Sequence, residues 1–127
     1  MATVELTAEN FESVIGDADL ALVDFWAAWC GPCRMFGPVF EKASEQYPDA
    51  VFGKVDTEAQ QALAGSFGIS SIPTLMIIRD NVVVYAQPGA LPEAALNELI
   101  TKARELDMDE VRASIAEHEN ATKAGSA

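Results

Sequence analysis

The chain has 127 residues, half of them hydrophobic, and 20 acidic against 8 basic side chains give it a formal charge of −12. That length suits one domain with a substantial core, the acid excess argues against binding nucleic acid through its phosphates, and no apolar run approaches the roughly 18 residues of a membrane span. The N-terminus, Met1-Ala2-Thr3-Val4-Glu5, has neither a basic nor an apolar leader region, so the expectation is a cytoplasmic protein in reducing surroundings.

A short strand is expected near Thr3 to Glu5. Thr7 reads as the N-cap of a helix from Ala8 to Ile15, with Phe11, Val14 and Ile15 on one face. Gly16-Asp17-Ala18-Asp19 breaks it. Leu20 to Ala27 is almost continuously apolar, as expected of a central parallel strand covered on both faces. Asp24 interrupts that run, where an ionised carboxylate is costly to bury. Desolvation should raise its pKa towards neutrality and let it exchange protons with a nearby thiol. Lys54, expected on the neighbouring strand, would pull the other way. A buried aspartate with a purely structural role is the alternative.

The only two cysteines of the chain follow at once, in Trp29-Cys30-Gly31-Pro32-Cys33. Thiols at i and i+3 between a strand and a helix can close a disulfide with each other and reopen it. If the helix begins at Gly31, Cys30 lies where unpaired backbone N–H groups and the helix dipole favour a thiolate. Cys30 is then the attacking sulfur. Cys33, one turn further in, should be more buried and more thiol-like, and would resolve the mixed disulfide. Zinc needs four ligands, and beyond the two cysteines only one histidine, His118, is present. A structural staple closing so short a loop would contribute only about 2 kcal/mol. The redox dithiol is the reading that fits best.

The cysteine helix should run from about Cys33 to Tyr47, kinked at Pro38. Val51 to Val55 is the next strand, joined to the first long one by a right-handed crossover. A helix is expected from Glu58 to Ser66, then strands at Thr74 to Arg79 and Val82 to Tyr85 around an Asp80-Asn81 hairpin turn. A helix from about Pro92 to Leu106 completes an α/β fold with a mixed central five-stranded sheet flanked by four helices. Eight carboxylates against three basic residues between Glu93 and Glu119 read as a solvated helix surface. A ligand crevice belongs at the C-terminal ends of the parallel strands, and Cys30 follows one of them.

The runs VDFWAAWCGPC (Val23 to Cys33), VDTE (Val55 to Glu58), IPT (Ile72 to Thr74) and GAL (Gly89 to Leu91) resemble the thioredoxin family in order and spacing. The likeness covers about residues 3 to 106. The Gly-Pro spacer is similar to that of reducing members, which discourages an oxidant or isomerase role. Ala28, Asn81 and Pro88 depart from the family's usual residues without touching the chemistry.

The resemblance implies a general protein-disulfide reductase, with a redox-active Cys30–Cys33 disulfide and no bound cofactor. It would be recharged by a thioredoxin reductase that uses NADPH, and would act as a monomer on disulfide-containing substrate proteins. It also implies that Asp24 and Lys54 occupy positions that matter to catalysis, and that the Ile72–Pro73 bond is cis and faces the dithiol. Trp29, Gly31, Pro32, Ile72, Pro73, Gly89 and Ala90 would then form a mostly uncharged substrate-contact rim, with the peptide held by strand-like hydrogen bonds. For Trp29 the alternative is ordinary packing. A binding module that uses the same surface without turnover is the competing function.

The thioredoxin-like domain is therefore expected over residues 1–106, with an extension over 107–127. In the extension, Met108, Val111 and Ile115 recur at helical spacing and predict an amphipathic helix from Met108 to about Glu119 docked on the body. The small polar stretch Asn120 to Ala127 is expected to be disordered.

Overall fold

The structure, a computed structural model, describes residues 2–125. Its elements in chain order are β1 (Thr3–Glu5), α1 (Phe11–Gly16), β2 (Leu20–Trp26), α2 (Gly31–Gln46), β3 (Val51–Asp56), α3 (Gln61–Ser66), β4 (Thr74–Arg79), β5 (Val82–Pro88), α4 (Glu93–Glu105) and α5 (Met108–Gly125). The strands form one sheet in the order β1-β3-β2-β4-β5. β3 runs parallel to both β1 and β2, while β4 is antiparallel to β2 and β5.

The unbroken apolar run of β2 has a direct cause. Side chains alternate between sheet faces, and both faces here are covered. Leu20 and Leu22 pack with Phe36 and Phe40 of α2 and with Leu96 and Ile100 of α4. Ala21, Val23 and Phe25 pack on the other face with Phe11 and Ile15 of α1 and Ala64 of α3. Gly53 of β3 makes room on that side, since a methyl group there would collide with the Leu6 side chain. The β4–β5 turn places Asp80 and Asn81 at φ 51° and 66°. Paired left-handed residues are what a two-residue hairpin requires.

Several element boundaries differ from the sequence reading for local reasons. α1 starts at Phe11 rather than Ala8, because Thr7 and Asn10 close a turn first: the Thr7 N–H donates to Asn10 Oδ1 at 2.7 Å and the Asn10 N–H to Thr7 Oγ1 at 3.3 Å. α3 starts at Gln61 rather than Glu58, because Asp56 Oδ1 accepts from the Glu58 and Ala59 N–H groups. Such side-chain turns compete with helix for the same donors. β5 continues past Tyr85 to Pro88, carried on by a register shift at Ile77/Ile78.

The extension is fastened to the body at its start. Arg79 Nη1 donates to the carbonyls of Ala103, Arg104 and Leu106 at 2.7, 3.0 and 3.4 Å, tying off the end of α4. Asp107 Oδ1 then accepts from the Asp109 and Glu110 N–H groups and opens α5. Met108 is buried and Val111 half-buried, but Ile115 is 41% exposed, so the apolar stripe docks only over its first turns. Arg112 adds a contact with Asp80 at 3.8 Å. The helix runs on to Gly125, and the disorder expected from Asn120 gives way to helix that far. Adding a residue to an existing helix gains a hydrogen bond without a new nucleation cost, and Ala121, Lys123 and Ala124 have favourable propensities. Residues 126–127 of that expected tail lie outside the described residues.

Truncation after Leu106 removes mainly the burial of Met108 and part of Val111, a loss of about 2 kcal/mol. A thermal melt should fall by several degrees while the truncation stays folded. An unchanged melting temperature would show that α5 adds nothing to the stability of the body.

Candidate active site

β2 delivers the chain to its C-terminal edge and α2 starts after four intervening residues. Cys30 occupies the N-cap of α2 with extended backbone (φ −86°, ψ 115°), and its Sγ accepts the Cys33 N–H at 3.2 Å. A sulfur therefore stands where a capping oxygen usually does. Pro32 has no N–H, so one donor of the open helix end is already absent, and the Cys33 donor is aimed at the sulfur. The two cysteines form a disulfide, with Cα atoms 5.2 Å apart.

Contrary to the sequence expectation, Cys33 is no more buried than Cys30; each is 4% exposed. Ala27, Trp26 and Ile72 pack around both sulfurs, and Cys30 Sγ lies 3.7 Å from the Ile72 carbonyl oxygen. The difference between the sulfurs is one of hydrogen bonding and not of cover.

The Ile72–Pro73 bond is cis. The Pro73 carbonyl accepts the Gly89 N–H at 2.8 Å, and Gly89 sits at φ 119°, which a side chain would strain. Gly31, Pro32, Gly89 and Ala90 are exposed, Ile72 is half-buried and Pro73 is buried. Trp29 is 65% exposed, which sets aside core packing as its role. Its indole N–H donates to the Glu58 carboxylate, and Arg34 Nη2 donates to its carbonyl oxygen at 3.5 Å.

Asp24 lies on the α2 side of the sheet, two residues along β2 from Leu22. Its residue is 0% exposed, and neither carboxylate oxygen has a hydrogen-bond partner among the described residues. Burial pushes its pKa up to about 7; Lys54 opposes that shift and Glu41 reinforces it. Lys54 is its register partner on β3. The Lys54 ammonium stands 5.2 Å from the centre of the Trp26 ring and 4.0 Å from Glu41 Oε1. Lys54, Glu41 and Cys33 line one cleft of about 220 Å³ with Trp26, Arg34 and Pro38.

Two acidic residues of this site, Glu41 and Glu58, lie outside the sequence-based expectations for it. Cys33, Gly37 and Glu41 are spaced i, i+4, i+8 along α2, a stripe on one helix face, so a signal for Glu41 was present. Glu58 ends the VDTE run. Among the described residues no group of three or more His, Cys, Asp and Glu side chains is placed to hold a metal ion, and no helix is long and apolar enough to cross a membrane.

The family model described as thioredoxin matches residues 2–102. The chain is 66% identical over 118 residues to the Streptomyces coelicolor protein named "Putative thioredoxin 2", covering 93% of this chain and 88% of that protein. It is 40% identical over 103 residues to the thioredoxin of Bacillus subtilis, covering 80% and 98% respectively. Among solved structures it is similar to a mutant thioredoxin from Halobacterium salinarum, with a TM-score of 0.77, 38% identity, and 83% and 93% of the two chains covered.

Proposed function

The chain belongs to the thioredoxin family of protein dithiol–disulfide oxidoreductases, and from that premise we propose that Cys30 attacks the substrate disulfide and Cys33 resolves the product, with Asp24 exchanging the proton. The observation that carries the assignment is the Cys33 N–H donating to Cys30 Sγ at the N-cap of α2. A donor and a helix N-terminus both stabilise negative charge on that sulfur, so Cys30 holds the larger thiolate fraction.

In the first step the Cys30 thiolate attacks one sulfur of the substrate disulfide. The other leaves as a thiolate, and a mixed disulfide remains. In the second step Cys33 loses its proton to the Asp24 carboxylate and attacks Cys30 Sγ. The bond from Cys30 to the substrate breaks and its electron pair goes to the departing substrate sulfur, which takes up a proton. Two electrons have passed from the dithiol to the substrate. With an elevated pKa, Asp24 is a base matched to neutral pH. Lys54 moderates it. Trp29, Gly31, Pro32, Ile72, Gly89 and Ala90 supply an uncharged contact rim over the dithiol, while Pro73, itself buried, supports the Ile72 and Gly89 backbone.

The recharging partner is a thioredoxin reductase that draws on NADPH, in a reducing cytoplasm where the pair is kept as a dithiol. The net charge of −12 supports a monomer through mutual repulsion of copies. The test is insulin-disulfide reduction, first with dithiothreitol and then with thioredoxin reductase and NADPH. Turnover in both assays is expected. Turnover with dithiothreitol but none with any thioredoxin reductase would overturn the partner assignment, and no turnover in either would overturn the reductase reading.

A further inference from the structure

The cleft beside Cys33 contains a carboxylate that the two-step scheme leaves without a role. Glu41 sits two helical turns along α2 from Cys33, on the same stripe, and half-buried. Its Oε1 is 4.0 Å from the Lys54 ammonium. Lys54 is the charge nearest in register to Asp24, and neither Asp24 oxygen has a partner of its own among the described residues. One ammonium is thus related to two carboxylates, by contact with Glu41 and by register with Asp24; Asp24 is closed off from solvent and Glu41 opens to it.

We propose that Glu41 is a positioning residue that holds the Lys54 ammonium at the mouth of the cleft and away from Asp24, and so sets the pH range in which Asp24 exchanges its proton with Cys33. The proposal rests on Asp24 being the base for Cys33.

The cleft lined by Lys54 also holds Cys33, Glu41 and Arg34 of α2, and β3 places Lys54 in register with Asp24. β4 places apolar Leu75 opposite it. Glu5 and Asp56 line a second groove that Lys54 also borders. The Lys54 and Glu41 side chains are 23% and 32% exposed, so solvent screening keeps the pair a weak contributor to stability. Its effect falls on the titration of Asp24, which lies in the low-dielectric interior. Glu41 also acts on Asp24 directly as a like charge. Removing it takes away that repulsion and releases Lys54 inwards, and both changes favour the ionised form of Asp24.

The experiment follows the rate of mixed-disulfide resolution from pH 5 to 9, together with the Asp24 carboxyl carbon resonance by NMR, in the full chain. Glu41→Gln should lower the midpoint of both titrations by about 0.5 pH unit, an effect that shrinks in high salt. Glu41→Asp should restore most of the shift. Lys54→Met should move both midpoints up, and in the double variant Glu41→Gln should shift them less than it does alone, because part of its effect runs through Lys54. An unmoved Asp24 resonance in folded Glu41→Gln overturns this inference. It leaves the base assignment standing if Asp24→Asn still flattens the rate profile. A rate profile unchanged in Asp24→Asn overturns the base assignment itself, and this inference with it.

Discussion

Cys30→Ser should abolish insulin reduction, with kcat/KM falling by about a thousandfold or more, since no other group can take the place of the nucleophilic sulfur. Cys33→Ser should also stop turnover, but at a later stage. Attack by Cys30 survives in that variant, so mixed disulfides with substrate accumulate and are visible by non-reducing electrophoresis and mass spectrometry. The two sulfurs have equal cover, so accessibility does not distinguish them. What does is the N-cap position of Cys30 with its Cys33 N–H donor. Alkylation of the reduced protein near pH 7 should therefore label Cys30 about tenfold faster than Cys33, the ratio set by the thiolate fractions. Equal labelling, or adducts that form through Cys33, would reverse the two roles.

Asp24→Asn should separate catalysis from stability. Resolution of the mixed disulfide slows by about 10²-fold, the lower end for loss of a general base, and its pH dependence near neutrality flattens. Stability moves the other way. The folded pKa of Asp24 is raised from 3.8 to about 7, so between these values the native state holds a proton that the unfolded chain has released. The stabilisation linked to this group is complete below about pH 4 and is lost as the pH rises through 7. A shift of that size amounts to about 4 kcal/mol. The asparagine amide is itself buried without an evident partner and returns part of this. Denaturant melts should thus show Asp24→Asn more stable than wild type by about 1 to 3 kcal/mol at pH 8, with the gain disappearing below pH 4. A stability difference that does not change with pH would mean that Asp24 titrates normally, and the argument for it as a base would fail.

Much of this was legible in the order of residues. The unbroken apolar run of β2 implied a central strand covered on both faces, and α1, α3 on one side and α2, α4 on the other supply that cover. The CGPC run at the strand-to-helix junction implied a sulfur at a helix end, and Cys30 is the N-cap of α2. Asp24 stood out because a charge in an apolar strand must be desolvated, and it is fully buried. At the starts of α1 and α3, polar side chains take backbone donors into turns that a hydrophobic pattern does not record.

Hydrophobic period, turn residues and capping positions act over a few residues, so the sequence by itself determined the elements, the dithiol and its place at the end of a strand. Contacts between residues distant along the chain depend on sheet order and helix placement, and only the tertiary structure decided those. Ile72 is brought over Cys30 from 42 positions away, which removes the expected difference in burial between the sulfurs. The pairing of β2 with β3 sets Lys54 beside Asp24, and the lie of α2 across that pair brings Glu41 to the same ammonium. A low-dielectric site makes each such approach count for more than it would in water. The chemistry of the dithiol was therefore readable in five consecutive residues, whereas Asp24, Lys54 and Glu41 meet only when the chain is folded.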